Sequence, residues 1–153
     1  MSLYFERLGT GRPLLLVHGL GANLRTWDPL LTSLRGSCEL VLVDLPGHGR
    51  SAPLAGPQTV EAYADALASF VQLQGLETAD LVGSSVGGRL VLELARRGIG
   101  RNCVALDPGG FWSGWETRWF HWTLAASIRL VWLLQPFHAG LSRHAFTRTL
   151  LLA

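Results

Sequence analysis

Five residues, Gly83-Ser84-Ser85-Val86-Gly87, constrain this 153-residue chain more than any other stretch. Before them runs Thr78-Ala79-Asp80-Leu81-Val82, a short apolar run that reads as a buried parallel strand. After them, Val86 to Ala95 carries helical periodicity. A strand that turns at once into a helix brings backbone segments too close for a Cβ, which requires glycine around the turn. The residue held at that junction is Ser85, with a glycine two positions away on each side. It stands at a helix N-terminus, where unpaired N–H groups favour negative charge. Strand, glycine-flanked serine and helix together are the pattern of a nucleophile raised on a tight elbow. Ser84 is the rival hydroxyl, but the glycines are not spaced around it. Ser85 is the candidate nucleophile.

The remaining chain supplies the sheet that such an elbow needs. Leu3 to Leu8 reads as an edge strand, and Leu14-Leu15-Leu16-Val17 as a strand buried on both faces, ending in His18-Gly19-Leu20-Gly21. Trp27 to Arg35 reads as a short helix with Pro29 in its first turn and Gly36 as its stop. A second buried strand, Leu40-Val41-Leu42-Val43, ends in the loop Asp44 to Ser51. Thr59 caps a helix with apolar positions Val60, Tyr63, Ala64, Leu67, Phe70 and Val71, and Gly75 closes it. The helix after the elbow ends in Arg96-Arg97-Gly98, cations and then a glycine stop. Asn102 to Leu106 is a further strand, followed by Asp107-Pro108-Gly109-Gly110. This alternation predicts an α/β fold: a mostly parallel doubly wound sheet with helices on both faces. Right-handed crossovers then bring Ser85, His18-Gly19, Asp44 and Asp107 to one edge, where open α/β sheets place their sites.

At Phe111 the composition shifts. Five of the six tryptophans follow it, at 112, 115, 119, 122 and 132. Residues 1–110 hold nine arginines against ten acids, and 111–153 hold four against one. The expected division is a core over 1–110 and a helical cap or lid over 111–153, the bland alternative being two core helices. The net charge of +2, all thirteen basic residues being arginine, does not point to nucleic acid. Cys38 and Cys103 each open an expected strand and read as small buried apolar residues. The N-terminus lacks the apolar core of a signal peptide, so a cytoplasmic setting is expected. The stretch Trp122 to Leu134 is interrupted by Arg129 and falls short of the ~20 residues of a membrane span.

Three motifs in this order, each at a strand end, resemble the α/β-hydrolase superfamily: His18-Gly19-Leu20-Gly21, Asp44-x-Pro46-Gly47-His48-Gly49-x-Ser51, and the Gly-x-Ser-x-Gly elbow. The likeness covers residues 1 to about 110 and is nearest to small cytoplasmic esterase-like and non-haem-haloperoxidase-like members. The resemblance implies an oxyanion hole from the backbone N–H groups of Leu20 and Val86. It implies structural roles for His18, His48 and Ser51. Related dehalogenases and epoxide hydrolases carry aspartate at the elbow; serine here implies an acyl-serine intermediate, hence ester, thioester or amide chemistry, and the tryptophan-rich segment after Phe111 favours a small or apolar carboxylic ester among these. No cofactor or metal is expected.

A serine of this kind needs a histidine base and an acid to orient it. Asp107, after the strand that follows the elbow, is the candidate acid. His121, His138 and His144 all follow Ser85, and the sequence does not choose among them. Two readings stay open: an N-terminal part of a longer hydrolase lacking the last strands, or a naturally short form. A sheet ending after Leu106 leaves an unpaired edge, which favours the former and also suggests self-association. The competing function is a non-catalytic binding or assembly module using that open edge. A dinucleotide site is disfavoured, because Leu24 stands where a third glycine would follow Gly19 and Gly21.

Overall fold

The computed structural model describes residues 2–34, 36–110 and 113–134. The chain divides into two compact units, Met1–Phe111 and Trp112–Ala153. The first contains a five-stranded sheet of order β1-β3-β2-β4-β5, built from Phe5–Leu8, Arg12–Val17, Cys38–Val43, Asp80–Ser84 and Cys103–Leu106 in chain order. Only β1 runs antiparallel, against β3; the β3–β2, β2–β4 and β4–β5 pairs are parallel. The expected mostly parallel sheet is therefore what the chain forms.

Both faces of the central strands are buried, which is why β2 and β3 read as unbroken apolar runs. Alternate residues serve opposite layers. Leu15, Val17, Val41, Val43 and Leu81 pack with helices α2 (Val60–Leu73) and α3 (Val86–Arg96). Leu16, Leu40 and Leu42 pack with Leu24 and Trp27 of a short 3-10 turn and with α1 (Asp28–Leu34). Burying each such leucine contributes about 1.5–3 kcal/mol.

Several boundaries shift from expectation by a residue or more, and two of the shifts show their cause. The segment expected as a helix from Trp27 begins earlier, as the 3-10 turn Leu24–Trp27, because the Asn23 side chain accepts the Arg25 N–H and nucleates it. The elbow strand runs to Ser84 rather than stopping at Val82, since pairing continues through Gly83↔Val17 and Ser84↔Leu106. Thr59 does cap α2, its side chain accepting from Ala62 N–H, and Gly75 follows the helix at φ 65°.

Register levels the strand ends. Val17 pairs with both Val43 and Gly83, and Gly83 with Ala105. The loops that begin at His18, Asp44, Ser85 and Asp107 therefore leave the sheet side by side. The second unit contains α4 (Trp115–Leu134), whose described side chains include no buried residue. No helix among the described residues is long and apolar enough to cross a membrane.

Candidate active site

Ser85 lies between β4 and α3 with φ 54° and ψ −118°, a left-handed backbone for a residue with a Cβ. Such a conformation costs on the order of 1–3 kcal/mol and persists only where its surroundings impose it. Here they do. Ser85 N–H donates to Leu106 O at 2.8 Å, and Ser85 O accepts from Arg89 N–H at 3.1 Å. The glycines beside it let α3 lie directly on the sheet. A Cβ on Gly83 would meet the backbone of Gly87 and sit 2.7 Å from Gly88 N; one on Gly87 would meet Val17 O and sit 2.5 Å from His18 O. The result is an exposed Ser85 at the rim, outside both strand and helix.

The loop after β2 faces it. A Cβ on Gly19 would lie 3.2 Å from the Ser85 Cβ and 3.8 Å from its Oγ, so only glycine leaves that approach open. Gly19 also opens a tight turn: Ala22 N–H donates to Gly19 O at 3.3 Å, with Gly21 at φ 73°. Positive φ at the third position is the geometry of a type II turn. Leu20, at the second position, is 63% exposed, and among the described residues its N–H has no acceptor. Val86 N–H is the first of α3 and has no partner within that helix.

Two imidazoles bind this turn to the loop after β3. His18 is fully buried; its Nε2 accepts from Leu45 N–H at 3.0 Å, so the ring proton is on Nδ1, which donates to Gly19 O at 2.7 Å. His48 repeats the arrangement, Nε2 accepting from Gly21 N–H at 3.2 Å and Nδ1 lying 2.9 Å from Pro46 O. The rings are 5.3 Å apart. Asp44, 2% exposed, accepts Leu24 N–H on Oδ1 at 2.8 Å and Arg50 N–H on Oδ2 at 2.9 Å. Ser51 Oγ donates to Asp44 O and accepts Tyr4 N–H. Every polar side chain of this loop thus ties together neighbouring segments.

Burial holds the His18 pKa below its ordinary 6.5, with the nearby His48 adding to the effect, while the Gly19 carbonyl and Asp44 oppose it. A histidine depressed in the fold takes its proton more readily when unfolded, so its contribution to stability is present above pH 6.5 and is lost as pH falls toward the folded value. Urea unfolding should therefore show stability declining below pH 6.5, this residue adding at most ~1.4 kcal/mol per pH unit. A His18→Gln variant should have a shallower slope whatever its absolute stability; an unchanged slope would show that His18 does not carry the dependence.

Asp107 follows β5 at φ 45°, is exposed, and has no side-chain partner among the described residues. It is next to the elbow, because Leu106 O accepts the Ser85 N–H and Gly109 N–H reaches Ser85 O at 3.4 Å. His121 belongs to α4 in the second unit. His138 and His144 lie outside the described residues. Cys38 and Cys103 are free and half-buried, each the first residue of its strand. No group of three or more His, Cys, Asp or Glu among the described residues could hold a metal. What motif reading missed is the reach of His48 and Asp44. The Asp-x-Pro-Gly-His-Gly-x-Ser spacing marks a built loop without saying which backbone it holds.

Against known proteins, residues 14–152 match the family model described as "Alpha/beta hydrolase family". The chain is 44% identical over 82 residues to the pimeloyl-[acyl-carrier protein] methyl ester esterase of Neisseria meningitidis serogroup A, which covers 54% of this chain and 25% of that protein. It is 36% identical over 92 residues to the dihydrolipoyllysine-residue acetyltransferase component of an acetoin cleaving system from Cupriavidus necator, covering 60% of this chain and 25% of that one. Among solved structures, a thermophilic esterase from Thermogutta terrifontis superposes with TM-score 0.57 at 38% identity, over 62% of this chain and 35% of its own. The matched part of this chain thus spans only a quarter to about a third of these relatives' lengths.

Proposed function

Because the chain belongs to the alpha/beta hydrolase family, we propose that it carries the nucleophile half of a serine esterase acting on a small or apolar carboxylic ester. The observation that carries this reading is Ser85, exposed on a left-handed elbow at the N-terminus of α3 and approached by Gly19 of the loop after β2. In this reading Ser85 Oγ attacks the ester carbonyl. The carbonyl oxygen takes the negative charge and is received by the Leu20 and Val86 N–H groups. Two such preorganised donors are worth a few kcal/mol each at the transition state. The alcohol leaves with a proton, an acyl-serine remains, and water releases the acid.

Within residues 1–111 the only histidines are His18 and His48. Both rings have their two nitrogens engaged by backbone groups, so neither is free to take the serine proton. In this reading neither of them is the base, and Asp107 is the acid we propose to orient the histidine that serves. The esterase names among the relatives support an ester as the substrate class. The tryptophans of the segment from 112 onward support an apolar one, with that segment serving as a cap.

A fluorophosphonate probe with peptide mapping tests this. The adduct is expected on Ser85, with labelling lost in Ser85→Ala. Unabated labelling of Ser85→Ala, or no labelling of the wild type under conditions that label the Thermogutta esterase, would overturn the reading.

One observation favours a second function, assembly through the sheet edge. Among the described residues β5 pairs only with β4, and its Val104 and Leu106 are 50% and 43% exposed. Open apolar edges of this kind recruit further strands. Light scattering after size exclusion should then report a mass that rises with concentration; a monomer at all concentrations ends that reading.

A further inference from the structure

We infer that His48 is a positioning residue: it locks the Leu20–Gly21 peptide in one orientation and so fixes the turn in which His18 holds the neighbouring peptide that carries the Leu20 N–H. The inference uses the hydrolase reading only for what the N–H is for; the lock itself rests on geometry.

A four-residue turn leaves one degree of freedom cheap, the flip of its central peptide, which interconverts the type I and type II forms. In the turn Gly19 to Ala22 that central peptide is Leu20–Gly21, and glycine at the third position tolerates either form. Gly21 at φ 73° records the type II form. The group that selects it is on another loop: Gly21 N–H donates to His48 Nε2. The preceding peptide is held from its other side. Gly19 O accepts both from His18 Nδ1 and from Ala22 N–H. In a trans peptide the C=O and N–H point opposite ways, so fixing Gly19 O directs Leu20 N–H away from those donors. Two successive peptide planes are thus set, one by His18 and one by His48.

His48 is suited to this only in one protonation form and one rotamer. Its Nδ1–H is taken by Pro46 O, two residues back in its own loop, leaving Nε2 as an acceptor. The ring is supported by the His18 ring at 5.3 Å and, from α2, by the Tyr63 ring at 6.5 Å. A loop residue whose ring is packed on two sides, and whose acceptor meets one amide across 27 positions of sequence, is built to hold that amide.

The experiment compares His48→Phe, which keeps a ring but no acceptor, with His48→Gln, whose amide oxygen reaches the place of Nε2. Residue-resolved hydrogen exchange by NMR reads Gly21 N–H. Its exchange should rise about tenfold in the phenylalanine variant, the scale of one hydrogen bond. It should stay within about threefold of wild type in the glutamine variant. Leu24 N–H, held separately by Asp44, should be unchanged in both. In parallel, fluorophosphonate labelling of Ser85 should slow in His48→Phe and recover in His48→Gln. Unchanged Gly21 exchange in His48→Phe overturns the inference, as does equal loss at Gly21 and Leu24 in both variants. Failure of Ser85 to react in the wild type refutes the esterase reading alone, because the exchange data judge the lock without it.

Discussion

Gly87→Ala will cost this protein about 3 kcal/mol, the upper part of the range for overpacking and a large fraction of the ~5–15 kcal/mol that holds a domain folded. The usual expectation for this exchange runs the other way. Replacing a helical glycine by alanine stabilises a helix interior by about 0.5–1 kcal/mol, through backbone entropy alone. At Gly87, however, a Cβ would meet two carbonyl oxygens at the end of β2, those of Val17 and His18, the latter at 2.5 Å. Neither obstacle is a side chain that can rotate away. One ends the central strand and the other follows it directly, and that strand is hydrogen-bonded to β3 on one side and β4 on the other. Relief requires lifting the N-terminus of α3 off the sheet, and α3 buries Leu90, Val91 and Leu94 against the core. Urea denaturation of Gly87→Ala beside Gly36→Ala checks this, since a Cβ at Gly36 meets nothing within 4 Å. The Gly36 variant should stay within about 0.5 kcal/mol of wild type. Equal stability of the two variants would mean that the helix does not rest on the strand as described.

The second large effect is expected at Asp44. Asp44→Ala removes both acceptors for Leu24 N–H and Arg50 N–H, and Leu24 is itself buried at 3% exposure. A buried donor left without a partner costs about 1–3 kcal/mol, and bonds to a charged acceptor fall in the upper part of the range. A loss of roughly 3 kcal/mol follows for the pair. Asp44→Asn retains one acceptor oxygen but turns an amide NH2 toward the other backbone N–H, so it should fall between alanine and wild type. The carboxylate also fills the space that Gly49, at φ 52°, leaves beside it. Alanine at 44 therefore opens a void as well as two orphaned bonds. Chemical denaturation should rank the proteins wild type, asparagine, alanine; an alanine variant as stable as wild type would show that the carboxylate is not the anchor.

Much of the layout was legible along the chain because its causes are local. Leu14 to Val17 and Leu40 to Val43 are unbroken apolar runs because each is buried on both faces. Thr59 and Gly75 mark the ends of α2 because capping is a matter of neighbouring residues. The elbow was legible for the same reason: Gly83 and Gly87 flank a residue that no regular element could hold. Less legible was the helix start, where Asn23 begins a 3-10 turn by a bond to Arg25 N–H that apolar periodicity does not register.

By itself, then, the sequence determined which segments are strands and helices, that the sheet is mostly parallel, and the serine raised between β4 and α3, since period, glycine spacing and caps act within a few residues. Tertiary structure alone decided what the glycines make room for, which nitrogens of His18 and His48 carry the proton, and that Asp44 holds Leu24 and Arg50. Those facts depend on register. Once Val17, Val43 and Gly83 stand level in the sheet, loops some twenty to forty residues apart in the chain meet at hydrogen-bond distance, and no local pattern records that meeting.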